Sequence, residues 1–199
     1  MKMIIAKFIR TLYKIVMTLL AMIVVVLLIL LSKLSDERGY YNLALALAYV
    51  PFFFGEKLRY YFYKYTLAQC GSKVIFKFGA CCMYRDIELH DNITVGLFTM
   101  IGKCTIKDHV LLGSHVNITS GNQQHTIRVN EGDVIFTDGR RERVEIGQNV
   151  WVGNNAVILK SIAKNCVVGA GSVLTRLTEK NGIYVGNPAQ RLKDIDAFQ

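Results

Sequence analysis

The chain has 199 residues and a net charge of +9, and 52% of it is hydrophobic. Its cations are dispersed and no zinc-finger or RNA-binding aromatic motif accompanies them, which argues against nucleic acid as a partner. Five cysteines, at positions 70, 81, 82, 104 and 166, are odd in number and lack metal-ligand spacing. They read as reduced packing residues of a cytosolic domain and not as a disulfide framework.

The hydrophobic excess lies near the N-terminus. Residues 15–31 run IVMTLLAMIVVVLLILL without a charge, bracketed by Lys14 and Lys33. At about 1.5 Å per residue such a helix is about 26 Å long, enough to cross or deeply enter a bilayer. Lys2, Lys7, Arg10 and Lys14 would suit a signal peptide, but SKLSDERGYY follows with no small-x-small cleavage site. A second charge-free stretch, 40–54, is shorter and contains Pro51. It suits the second arm of a membrane hairpin, an interfacial helix, or a platform under the next domain. The segment KLRYYFYKY, residues 57–65, fits either the headgroup zone or an amphipathic helix packed on that domain. Residues 1–66 are therefore expected to form a membrane-associated region.

From Leu89 onward one aliphatic residue recurs every six: Leu89, Val95, Ile101, then Ile106, Leu112, Ile118. After a gap the series resumes at Ile146, Val152, Ile158, then Ile162, Val168, Leu174. A 3.6-residue helical turn cannot hold a period of six, and a single strand alternates with period two. Three short flat faces per coil, each turning one aliphatic side chain inward, do fit. The expectation is a parallel β-solenoid whose coils bury their apolar sides by stacking. Two intervals are short, Ile101 to Ile106 and Ile158 to Ile162.

The polar segment 119–143 interrupts the rhythm, and an excursion this long from a regular coil marks function. It carries His125, whereas His90, His109 and His115 sit within coils. Imidazole exchanges a proton near neutrality, so His125 is the candidate general base.

The segments VEIGQNVWVGNNAVILKS, VVGAGSVLTR and VGNPAQRLK resemble the hexapeptide-repeat acyltransferases. They are most similar to the group of galactoside, maltose, xenobiotic and capsular or O-antigen acetyltransferases. The resemblance spans about residues 87–193 and is most specific after 144. It implies a left-handed parallel β-helix over 67–199, a homotrimer with active sites between subunits, and acetyl-CoA as donor without a metal. The implied acceptor is a sugar hydroxyl, on a carbohydrate or lipid-linked glycan precursor of a surface polysaccharide or lipopolysaccharide.

Carried across by position, His125 corresponds to the catalytic loop histidine and Trp151 to a cleft-lining tryptophan. Gly153 and Asn154 follow it, with the Asn154 backbone N–H directed to the thioester oxygen. Ala170 corresponds to the small residue against the pantetheine arm. Thr175 and Arg176 match a pair near the CoA phosphates, Lys193 matches a basic residue after the GNPA turn, and Arg191 is a nearby addition. The histidine loop lacks the His-Pro or Asn-His context common in the group, and Gln190 replaces a usual basic residue. No counterpart of the acceptor-side Asp or Asn is assignable.

The chemistry suits these parts. A sugar hydroxyl is too weak an acid to attack a thioester unaided, so a neutral imidazole takes its proton. A fixed N–H then meets the charge growing on the thioester oxygen. Two rivals share the solenoid. A γ-carbonic-anhydrase-like zinc hydratase would recruit His109, His115 and His125, but the first two repeat on successive hexads instead of converging. A non-catalytic trimeric scaffold would leave the histidine loop unexplained. The positive-inside rule places the N-terminus in the cytosol of a bacterial inner-membrane protein. Keeping the catalytic domain beside cytoplasmic acetyl-CoA then requires a membrane hairpin, or an apolar helix lying in one leaflet.

Overall fold

Three helices come first, α1 (Lys2–Leu34), α2 (Glu37–Ala48) and α3 (Phe52–Thr66). The computed structural model describes residues 2–130 and 133–195. The tip of the 119–143 segment and the last four residues of the 67–199 domain thus lie outside the described residues. Asp36 caps α2 by accepting the Gly39 N–H at 2.8 Å. Pro51, which has no N–H to continue a helix, precedes α3. The 40–54 stretch is therefore two short helices around a turn and not one membrane arm.

Both short helices bury residues against the first coil, including Tyr40 and Leu47 from α2 and Leu58 and Phe62 from α3. The Tyr63 ring centre lies 4.7 Å from that of Phe76. Polar contacts close the end of the solenoid as well. Gly79 N–H donates to Ala48 O at 2.8 Å, and Cys82 N–H donates to the Tyr63 hydroxyl at 3.1 Å. This is the platform arrangement.

Of the two readings of residues 57–65, Arg59 fits the helix packed on the next domain. It is 1% exposed. Its Nη1 donates to the carbonyls of Leu47 at 3.0 Å and Val50 at 2.8 Å, and its Nε to Phe76 O at 3.1 Å. The buried guanidinium is itself satisfied by these carbonyls, at the end of α2, in the turn after it and on the first coil.

The long helix α1 runs alongside α3 and parallel to it. Lys14 Nζ lies 5.9 Å from the Phe53 ring centre, and further along Val26 and Ile29 border Tyr61 and Tyr65. Among the described residues, α1 is the one helix long and apolar enough to cross a membrane. Much of its apolar surface is exposed, including Ile9, Ile23, Leu27 and Leu30.

The solenoid begins one coil before the aliphatic series does. Its first coil is β1 (Gln69–Cys70), β2 (Ile75–Phe76) and β3 (Cys81–Cys82). The second is β4 (Glu88–Leu89), β5 (Thr94–Val95) and β6 (Met100–Ile101), and the third β7 (Cys104–Ile106), β8 (Leu111–Leu112) and β9 (Asn117–Ile118). A hairpin, β10 (His125–Asn130) and β11 (Asp133–Asp138), then leaves the coil. The chain re-enters as β12 (Val144–Ile146), β13 (Trp151–Val152) and β14 (Val157–Ile158). Ile162 bridges to Ile146, β15 (Val167–Val168) and β16 (Val173–Leu174) follow, and β17 (Gly182–Gly186) and β18 (Ala189–Asp194) end the fold.

Equivalent strands pair in parallel and make three faces. The first stacks Leu89, Ile106 and Ile146, the second Val95, Leu112, Val152 and Val168, and the third Ile101, Ile118, Ile158 and Leu174. All of these are buried. The hexapeptide period of the sequence is thus the face length of the solenoid, and each repeated residue is the inward one.

Two corners are regular. The first carries Lys73, Asn92, His109, Asn149, Asn165 and Asn181, with φ between 54° and 59°. The second carries Phe98, His115 and Asn155 in the same left-handed region, with glycine at 79 and 171. Asparagine tolerates that backbone best among residues with a side chain. It also stacks, since Asn149 Nδ2 donates to Asn165 Oδ1 at 3.1 Å and Asn165 Nδ2 to Asn181 Oδ1 at 3.0 Å. Every irregular interval falls at the third corner. Leu89 follows Cys82 by seven residues, Ile106 follows Ile101 by five, and Ile162 follows Ile158 by four. The hairpin emerges there too.

Candidate active site

Both roots of the hairpin are fastened to the third corner. Ser120 Oγ accepts the Lys103 N–H at 3.0 Å, and Ser120 O accepts the Glu142 N–H at 2.8 Å. Arg143 donates to Cys104 O at 3.1 Å and to Asp86 O at 2.7 Å. At Gly139 the strands approach so closely that a Cβ would lie 2.0 Å from Gln123 O. Glycine is required there by space, and its N–H donates to Gln124 O at 3.0 Å.

The 119–143 segment, read from sequence as a polar loop, is thus a ribbon with a defined register. His125 stands directly opposite Asp138. The pair below it, Gln124 and Gly139, is hydrogen-bonded, so His125 and Asp138 form the alternate kind of pair, in which side chains stand closest. Both border a groove of about 770 Å³ whose opposite wall includes Tyr84, Arg85 and Lys103. Sequence reasoning assigned no acidic partner to His125. The signal was present in HTIRVN and DVIFTD, two strand-like runs separated by two residues.

The residues expected at the donor site lie elsewhere on the chain. Trp151 points outward from the second face, 53% exposed, beside Leu111 in register. Gly153 is buried where a Cβ would lie 2.5 Å from Ala170 N, so successive turns touch here. Asn154 and Ala170 belong to those turns, and Asn154 O accepts the Gly171 N–H at 2.8 Å. The Asn154 side chain accepts the Ser114 N–H at 2.8 Å. Its own backbone N–H has no acceptor among the described residues. Thr175 and Arg176 follow β16, and Lys193 lies on β18 opposite Ile183. None of these borders the His125 groove.

Arg191 is already engaged. It donates to Asp194 Oδ1 at 2.6 Å, to the Tyr184 hydroxyl at 3.0 Å and to Lys180 O at 3.1 Å. The Asp194 carboxylate, with Tyr184, holds the guanidinium more firmly in its charged form. These bonds close the hairpin of β17 and β18 and occupy most of the guanidinium's donors.

Other nucleophile and metal options are poorly supplied. All five cysteines are free and buried. Burial pushes the Cys81 thiol up to about 11 and the Cys70 thiol up to about 12, so neither supplies a thiolate at neutral pH. His109 and His115 occupy two different corners, and among the described residues no group of three His, Cys, Asp or Glu could hold a metal.

No protein-family model matches the chain. In sequence it is 32% identical over 96 residues to the galactoside O-acetyltransferase of Escherichia coli, covering 46% of this chain and 44% of that protein. The chain spans about half the length of the curated relatives it matches. In structure it is similar to a maltose O-acetyltransferase from Clostridium difficile, with TM-score 0.58 and 24% identity over 83% of this chain and 88% of that one. It is also similar to a hexapeptide-repeat acetyltransferase of Vibrio cholerae solved with acetyl-CoA, with TM-score 0.61 and 18% identity over 79% and 86%. The fold is therefore the hexapeptide-repeat β-solenoid of the acetyltransferases. The resemblance read from the VWVG and GNPA segments has counterparts in both sequence and structure.

Proposed function

We propose that the protein is an acetyl-CoA-dependent O-acetyltransferase acting at a membrane on a sugar hydroxyl of a surface-glycan precursor. The observation that carries this reading is the division at the solenoid surface. A hairpin holds His125 and Asp138 over a groove, while Trp151, Asn154 and Ala170 line a separate edge with an unused N–H. The resemblance implies a trimer with its reaction between subunits, in which the hairpin of one copy would meet the donor edge of the next. Residues 67–199 would form the catalytic domain and residues 1–66 its membrane-associated base.

In the reaction the acceptor oxygen attacks the thioester carbonyl carbon as His125 takes the hydroxyl proton. Asp138, its cross-strand neighbour, would turn onto the imidazole and hold it in the tautomer that leaves the other nitrogen free. The Asn154 N–H meets the oxyanion. The C–S bond then breaks, and the departing thiolate takes the proton from the imidazolium. Arg176 and Lys193 would contact the CoA phosphates.

The helices favour one membrane arrangement. α1 rests along α3, which carries Glu56, Lys57 and Lys64, so a crossing α1 would drag charge into the hydrocarbon. α2 has 12 residues, about 18 Å of helix, too short to return across a bilayer. An α1 embedded in one leaflet keeps the solenoid in the cytosol.

The test is a thermal shift with acetyl-CoA on the full chain in detergent, followed by transfer of labelled acetyl to a glycan extract. Donor at a hundredfold its Kd should stabilise the fold by about 2.7 kcal/mol. Absence of both shift and transfer would support the scaffold instead.

A further inference from the structure

The groove beside His125 has a charge pattern that a neutral sugar would not use. Two of its cations are committed. Arg85 donates to Ser32 Oγ at 2.8 Å and to Ser32 O at 2.6 Å, and lies 3.2 Å from Glu37 Oε1. Lys103 Nζ lies 2.9 Å from Asp86 Oδ2. The other two, Arg140 and Arg141, make no ion pair among the described residues. Arg141 is held 5.2 Å over the ring of Tyr84, on the opposite wall. Both arginines lie within three residues of Asp138, on the root that Arg143 fastens.

The groove also has a direction. Its far end is the junction of α1 and α2, where Arg85 is tied to Ser32 and Glu37. Its near end is the His125–Asp138 pair. Arg140 and Arg141 follow Asp138 in the chain, and Arg141 stacks on Tyr84, the neighbour of Arg85. Arginine presents planar, paired donors that match phosphate oxygens better than those of a sugar. If α1 lies in one leaflet, its end at this groove would bring the two guanidiniums near the level of lipid phosphates.

We infer that the acceptor is a glycosyl phosphate or diphosphate, with its phosphate bound by Arg140 and Arg141 and its sugar hydroxyl extended to His125. This rests on the transferase reading above and names its substrate class. A nucleoside diphosphate sugar and a polyisoprenyl diphosphate sugar share this chemistry. Only the second would use the neighbouring end of α1.

The test uses the full chain in detergent with coenzyme A saturating, so that the donor phosphate site is filled. Binding of pyrophosphate, uridine diphosphate and farnesyl diphosphate is measured by calorimetry on the wild type, R140A/R141A and R140K/R141K. The expected result is a loss of at least tenfold in affinity for all three ligands in the alanine variant, with partial retention in the lysine variant. Farnesyl diphosphate binding ten times tighter than uridine diphosphate assigns the lipid source, and the reverse assigns the nucleotide. Undiminished binding in R140A/R141A, or no binding by the wild type, overturns the subsite. Both arginines are exposed, and an unchanged melting temperature shows that the variants fold. Coenzyme A binding without any diphosphate site sinks this inference and leaves the transferase standing, whereas failure to bind coenzyme A sinks the transferase itself.

Discussion

Two corners of this solenoid and the third obey different rules. The first two are locked, with one left-handed residue per turn and a fixed interval of six between inward side chains. The asparagine stack at 149, 165 and 181 ties successive coils of the first corner. The third corner varies in length from coil to coil, and the hairpin, His125 and the groove are built there. A ladder of parallel strands fixes a register on each face but constrains the connection between faces much less. Chain can therefore be added at a corner without disturbing the stack. Stability belongs to the faces and the first corner, while the proposed chemistry draws on the irregular third corner and, through Asn154 and Ala170, on the second.

Substitutions on the two sides of this division should separate activity from stability. His125→Asn should lower kcat by a factor on the order of 10²–10⁴ with acetyl-CoA affinity and melting temperature unchanged. Near-normal turnover would remove the hairpin from catalysis. Leu112→Ala, in the middle of the second face, should cost about 2–5 kcal/mol in denaturant unfolding. Ile127→Ala, 66% exposed on the ribbon, should stay within about 0.5 kcal/mol in the isolated chain. Equal costs for these two would contradict the division.

Smaller effects sharpen the same contrast. Asn165→Ala removes the middle of the asparagine stack and should cost about 1 kcal/mol by thermal melting. A comparable change in turnover would mean that the first corner takes part in the reaction. The smallest expected signal is none at all. A thiol reagent should modify none of the five buried cysteines in the native protein at neutral pH, and all of them after denaturation.

Much of the fold was legible because buried parallel faces demand one inward aliphatic residue per turn, and Leu89 to Leu174 supply them. The first coil falls inside the expected 67–199 domain but outside the aliphatic series, since Cys70, Phe76 and Cys82 stand where the later coils carry aliphatic residues. The spacing of six was there, but its residue types belong to the contact with α2 and α3. Arg59 stayed open between two readings for a similar reason. In a basic aromatic run nothing local separates a cation facing phosphate from one donating to four carbonyls. At the candidate site, His125 stood out by its position in an interruption. Asp138 and the arginine pair did not, because they join it only through the register of the ribbon.

The platform has a bearing on any attempt to make this protein soluble by cutting away its greasy front. The contacts from Ala48 O, the Tyr63 hydroxyl and Arg59 end the ladder at the first coil. Without residues 1–66, β1, β2 and β3 would each show a bare row of amide groups beside Phe76 and Cys82. Parallel edges of that kind are templates for another coil, and the nearest supply is a second truncated molecule. The shortened protein would stack end to end into filaments. In this chain the helices that precede the solenoid are also the stopper that keeps it finite.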